Sequence, residues 1–277
     1  MGRLLGQMTV NTTAVKTTQT SSAPLLPIAV VGLLAGFLAG LFGVGGGILI
    51  VPGLVLAAHM AQRLAHGTSL AAVVPISVAS LITYAAHDNV DWNVALWLAI
   101  GAVAGAVIGT RLLHALPQRT LAIIFIVVLV ASALRLFLAT DADGRVGLTP
   151  LSVVALVVVG LITGILAGLL GVGGGIVMVP AMILLFDLEP VVAKGTSAAV
   201  IIAAAVMGTW RNRANNNTDL RAAAVIGAAG IVTAAIGGVL ADRMSDDLSN
   251  VLFATLLLIV AARLTWGLRR DSHAAAE

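Results

Sequence analysis

The run AGLFGVGGGILIVP at residues 39–52 returns almost unchanged as AGLLGVGGGIVMVP at residues 167–180. Adding 128 to a position in the first half lands on its counterpart in the second. From Gly36 to Pro52 and from Gly164 to Pro180 the two agree at 13 of 17 positions. The same offset, without a gap, pairs Gly67-Thr68-Ser69 with Gly195-Thr196-Ser197, Asp91 with Asp219, Gly109 with Gly237, Phe125 with Phe253 and Arg135 with Arg263. The chain is a tandem duplication, and a repeat constrains the fold before any local reading does.

The solvent of this duplicated unit is lipid. Of 277 residues, 60% are hydrophobic and 10% charged, with mean hydropathy +1.09, whereas soluble domains carry roughly 25% charged residues. With no cysteine there is no disulfide framework, thiolate nucleophile or cysteine-held metal. His59, His66, His87 and His114 form no His-x-x-x-His pair, so neither a metal nor a cofactor is expected. Neither glycine cluster is followed by Lys-Ser or Lys-Thr, which excludes a nucleotide-binding loop. The basic residues do not cluster on one face, which excludes a nucleic-acid partner.

Apolar stretches fall at 24–58, 67–86, 92–114, 119–140, 150–186, 193–210, 220–241 and 248–268. Most match the ~20 residues that span a ~30 Å hydrocarbon core. The two longest hold the glycine clusters and are too interrupted to be single straight helices. The expected fold class is therefore an all-α polytopic membrane protein. A polar, disordered tail at 1–24 precedes a first repeat at 25–140, a linker at 141–149, a second repeat at 150–268 and a tail at 269–277.

Charge decides how the repeats are oriented. If each long segment is two short spans meeting at the glycines, each repeat crosses five times and the second is inverted. With the N-terminus inside and Arg135 and Arg263 set aside near helix ends, that arrangement puts ten Lys/Arg inside and three outside. Four crossings per repeat give eight inside and five outside. The positive-inside rule favours inversion and a cytoplasmic N-terminus.

The duplicated A-G-x-x-G-x-G-G-G-x-x-x-V-P signature, Ala39 to Pro52 and Ala167 to Pro180, with Gly-Thr-Ser after each copy, resembles the sulfite exporter TauE/SafE family of transporters over about residues 26 to 268. The resemblance implies movement of a small sulfur-containing anion such as sulfite, sulfoacetate or a related sulfonate.

The residues support a compatible chemistry without that name. Glycines in series do not propagate a helix, each costing up to about 1 kcal/mol relative to Ala. Two breaks at equivalent depth place backbone N–H groups and helix N-termini where an oxyanion can be held. Gly43, Gly45, Gly46, Gly47, Gly171, Gly173, Gly174 and Gly175 are thus candidate substrate-binding residues, and close helix packing of the kind expected at Gly36 and Gly40 is the competing reading. Thr68, Ser69, Thr196 and Ser197 are read as opening their helices, where a hydroxyl serves as an N-cap or as an added anion donor. His66 and Lys194 precede them and supply positive charge, unless Lys194 snorkels to the interface.

Pro52 and Pro180 are candidate hinges. Arg135 and Arg263 are either snorkelling residues or gate charges at the two mouths. Every Asp and Glu falls in a loop or tail of this segmentation, leaving no embedded carboxylate for a proton relay.

The expected protein is a secondary carrier in the bacterial inner membrane, working by alternating access and not an enzyme. Its partners are a small anion and the bilayer, with a homo-oligomer compatible. A passive anion channel with the glycines lining its constriction is the alternative.

Overall fold

The structure, a computed structural model, describes residues 25–112, 123, 126–127, 129–131, 133–134, 147–171 and 173–274. The tail expected at 1–24, most of the linker and Arg135 lie outside the described residues.

Nine helices are delimited among the described residues: α1 (Leu25–Phe42), α2 (Gly47–Ala57), α3 (Gln62–Ala86), α4 (Trp92–Leu112), α5 (Pro150–Leu170), α6 (Gly175–Phe186), α7 (Pro190–Ala214), α8 (Leu220–Arg243) and α9 (Asp246–Ala274). The described residues between 123 and 134 are helical too, with Leu129 and Ala133 fully buried. No strand occurs among the described residues. Seven of the nine helices are long and apolar enough to cross a membrane, whereas α2 and α6 have only 11 and 12 residues. At 1.5 Å per residue these two reach about 16–18 Å, roughly half a bilayer core. The outer faces carry exposed Leu34, Ile82, Leu96, Val154, Ile162, Val232 and Ile236, surface that lipid covers.

Local signals fix the helix ends. Thr149 and Ser152 form a reciprocal capping box at the start of α5, with Pro150 at its first position. The Asp219 carboxylate accepts from the amides of Arg221 and Ala222 at the start of α8. Gly171, left-handed at φ 66°, closes α5 by donating its N–H to the Ala167 carbonyl.

Close approach of glycines sets the direction of each packed pair. Gly32, Gly36 and Gly40 of α1 lie in turn against Ile226, Gly230 and Ala234 of α8, so the two run parallel. The duplicate arrangement sets Gly101, Gly105 and Gly109 of α4 against Val157, Leu161 and Ile165 of α5, again parallel. Along α3, Pro75, Ile76 and Thr83 meet Gly227, Gly230 and Gly238, so α3 also runs with α8. The equivalent helices α3 and α7 cross in opposite senses, Leu70 meeting Gly208 and Tyr84 meeting Gly195. These contacts make α1, α3 and α8 one parallel group and α4 and α5 another, and the equivalent helices α3 and α7 run in opposite directions.

The first helix of each repeat packs on the fourth helix of the other, so neither repeat completes its own core. In lipid no hydrophobic force separates helix from tail, and small residues that let backbones touch supply the association. For Gly36 and Gly40 the packing reading is what the structure shows. Pro75 does not interrupt its helix; α3 continues through it, and its ring packs on Gly227.

Candidate substrate site

The chain turns back on itself at each glycine cluster. Gly43, Gly45 and Gly46 have φ of 65°, 76° and 73°, and Gly171, Gly173 and Gly174 have 66°, 85° and 81°. This left-handed region is open to glycine without steric cost, and six such residues in two loops explain the composition of the motif. After the first loop α2 folds back along α1, Gly46 lying on Ala35 and Gly53 on Val31. The break expected from sequence is thus a reversal, and its arms are unequal, 18 and 11 residues long.

The loops put two helix N-termini at the centre of the molecule. Val73 and Ile201, each the twelfth of 25 residues in α3 and α7, are repeat-equivalents and both touch both loops. A β-carbon built on Gly45 would lie 3.1 Å from a methyl of each, and one on Gly173 would lie 3.6 and 3.4 Å away. The loops also meet directly, since a β-carbon on Gly175 would fall 2.7 Å from Val44 Cα. From this point α2 begins at Gly47 and α6 at Gly175. Their N-cap residues are Gly46 and Gly174, and neither helix has a side-chain cap. The Gly46 carbonyl accepts from Leu49 and Ile50, and the Gly174 carbonyl from Val177 and Met178. Every described residue from Gly43 to Gly47 and from Gly171 to Gly175 is buried. Two positive helix ends without side-chain caps inside an apolar core form an electrostatic environment suited to an anion.

The Gly-Thr-Ser triplets do not open their helices, which corrects the sequence reading. Helix α3 starts at Gln62 and α7 at Pro190, so the triplets lie in the second turn. Polar Gln62 and Arg63 open α3, and Glu189 is the N-cap residue of α7 ahead of Pro190, so both helices begin before their apolar runs: Pro suits a first helical position, and Gln and Arg are good helix formers. The hydroxyls serve longer-range contacts. Thr68 Oγ1 accepts the Asp219 N–H at 2.9 Å, and its equivalent Thr196 Oγ1 accepts the Asp91 N–H at 2.9 Å. Each ties its helix to the start of the fourth helix in the other repeat. Ser69 Oγ donates to the Gly171 carbonyl at 3.0 Å, whereas the buried Ser197 hydroxyl has no hydrogen-bond partner among the described residues.

His66 and Lys194 occupy equivalent positions against opposite loops. A β-carbon on Gly171 would lie 2.9 Å from His66 Nδ1, and Gly43 packs on the backbone of Lys194. Lys194 does not snorkel. It is 1% exposed, donates to Ser249 of α9, and sets its ammonium 6.0 Å from the Phe42 ring centroid. Sequence reasoning missed Ser249, whose serine stands outside every motif. Pro52 and Pro180 lie within α2 and α6, past the glycines, as expected. Arg263 is exposed on α9. The structure thus gathers the eight glycines, Ser69, Ser197, His66 and Lys194 around the two loops, while Thr68 and Thr196 reach away to helix starts.

Apolar membrane-length helices around two half-length ones that meet head to head define a multi-pass membrane transporter. The sequence belongs to the sulfite exporter TauE/SafE family, which it matches over residues 4–136 and 156–277. Similar proteins include the probable membrane transporter proteins YunE and YjnA of Bacillus subtilis. YunE is 25% identical over 263 residues, covering 86% of this chain and 96% of the relative; YjnA is 27% identical over 253 residues, covering 86% and 98%. A probable membrane transporter protein of Methanocaldococcus jannaschii is 30% identical over 165 residues, 57% of this chain and 61% of the relative. No solved structure matches the chain.

Proposed function

We propose that this protein is a secondary carrier that moves a small sulfur-containing oxyanion or sulfonate, such as sulfite or sulfoacetate, across the cytoplasmic membrane by alternating access. The observation that carries the reading is the meeting of the α2 and α6 N-termini, without side-chain caps, beside the middle of α3 and α7. The anion is held by backbone N–H groups of the glycine loops, with Lys194 and His66 adding positive charge from opposite sides. Pro52 and Pro180 act as hinges of the half-helices.

The opposite directions of the equivalent helices α3 and α7 support an inverted-repeat arrangement in the bilayer, the geometry in which discontinuous helices build a midplane site and the repeats rock about it. The turn between α7 and α8, flanked by Arg211 and Arg213 in the last turn of α7 and by Arg221 at the start of α8, supports a cytoplasmic position for that end and for the N-terminus.

The test is uptake of labelled sulfite, sulfoacetate and sulfate into proteoliposomes, with and without the same anion trapped inside. Saturable uptake accelerated by trapped anion is the expected result. Linear flux indifferent to the inside would show a channel, and no flux of any sulfur anion would remove the proposed cargo.

A further inference from the structure

Each side chain here can be compared with its twin 128 residues away, and one pair differs where the two repeats meet. Ser69 and Ser197 are both 0% exposed. Ser69 of the first repeat donates to the Gly171 carbonyl of the second, but the Ser197 hydroxyl has no partner among the described residues. Residues three and four apart share a helix face, and Ser197 lies between Lys194, which packs on Gly43, and Ile201, which packs on Gly45. Ser197 therefore shares the helix face turned to the first glycine loop, where the Gly43 carbonyl is the twin of the acceptor that Ser69 uses. Native proteins seldom leave a buried hydroxyl unpaired without a reason. A second access state, in which the bond is made, supplies one.

We propose that Ser69 with Gly171 and Ser197 with Gly43 are alternative latches, one closed in each of two access states, and that this structure has the first closed and the second open. The inference rests on the alternating-access reading above. When inverted repeats of similar sequence move against each other, each takes up the environment the other has left, so a bond made across one repeat boundary is exchanged for its twin across the other. A contact biases an equilibrium only by the difference it makes between the states, and a hydrogen bond present in one state alone meets that condition. Both latches join a helix of one repeat to the glycine loop of the other, where relative motion would break them. The Ser69 latch closes the end at which α3 begins, marked by Arg63, Arg211 and Arg213, and the Ser197 latch would close the opposite end.

The native absence of cysteine gives a direct test that needs no substrate. Val73→Cys, placed between the loops, is reacted with a membrane-impermeant maleimide from either side of oriented proteoliposomes. Adding Ser69→Ala should raise labelling from the arginine-rich end several-fold, while Ser197→Ala should lower it and raise labelling from the other end. Ser69→Thr, which keeps the hydroxyl, should stay near the parent. Shifts in the same direction, or none, would overturn the proposal, and equal rapid labelling from both sides would overturn it together with alternating access. If Ser69→Ala does not fold, Ser197→Ala decides alone, because no bond is lost there in this state: a shift supports the latch and its absence removes it. Failed anion counterflow with opposed labelling shifts would discard the cargo and keep the latches; counterflow without shifts would do the reverse.

Discussion

Tyr84 of α3 donates a hydrogen bond to the Gly40 carbonyl of α1 at 2.6 Å, with both residues buried. Helix α1 ends at Phe42, so this carbonyl belongs to the last turn, whose oxygens have no partner further along the helix. Removing the phenol leaves it unsatisfied away from water. Tyr84→Phe should therefore lower stability by about 1–3 kcal/mol, read as unfolding in mixed detergent micelles. The twin Asn212 donates within its own helix to Gly208, whose carbonyl keeps a helical partner, so Asn212→Ala should lose clearly less.

The glycine seams predict a sharp contrast among Gly→Ala changes. At Gly36 and Gly164 a β-carbon would collide with the carbonyl oxygens of Gly230 and Ala102, which are backbone and cannot rotate away. Each change should force the helices apart and cost more than about 2 kcal/mol, in the range of overpacked cores. A β-carbon at Gly267 of α9 meets nothing within 4 Å, and Gly267→Ala should be neutral or stabilising by up to about 1 kcal/mol. Thermal denaturation of the three variants in one detergent checks the order.

Thr68→Val and Thr196→Val keep shape and delete the acceptors of the Asp219 and Asp91 amides. Each should destabilise by about 1–3 kcal/mol while leaving the half-saturating anion concentration of the folded fraction unchanged. An increase in that concentration at unchanged stability would instead make these threonines substrate ligands.

Gly45→Ala tests the loops themselves. At φ 76° an alanine is strained by roughly 1–2 kcal/mol, and its methyl would press on Val73 and Ile201 at 3.1 Å. Transport should fall by at least tenfold in protein that still folds, measured as counterflow per unit of monodisperse protein.

The duplication and the break at the glycines were legible because identity at a fixed offset and a run of residues that will not propagate a helix are properties of the chain alone. Even the clamp between Thr68 and Asp219 had a visible trace, since the offset that pairs Thr68 with Thr196 also pairs Asp91 with Asp219. Partner choice was hidden. A helix such as α1, apolar on every side, carries no amphipathic stripe to say which face meets protein, so the exchange of first and fourth helices between repeats could not be read. Helix starts were misplaced because Gln62 and Pro190 are polar or rigid in composition yet helical in place. The burial of Lys194 was open because a lysine near a span end has equal access to the headgroups and the interior until its neighbours Phe42 and Ser249 are known.

The exchange of helices between repeats also sets a timetable for making the protein. Gly32 on α1 rests against Ile226, 194 residues later in the chain, so at about 5–20 residues per second of synthesis α1 waits about 10–40 s for the surface it was built to fit. Through that interval its row of glycines faces lipid or the insertion machinery, and the nascent first half exists as an unfinished partner. Completion comes only when α8 is threaded in beside α1, which makes the last third of the gene the step that commits the first third to its fold.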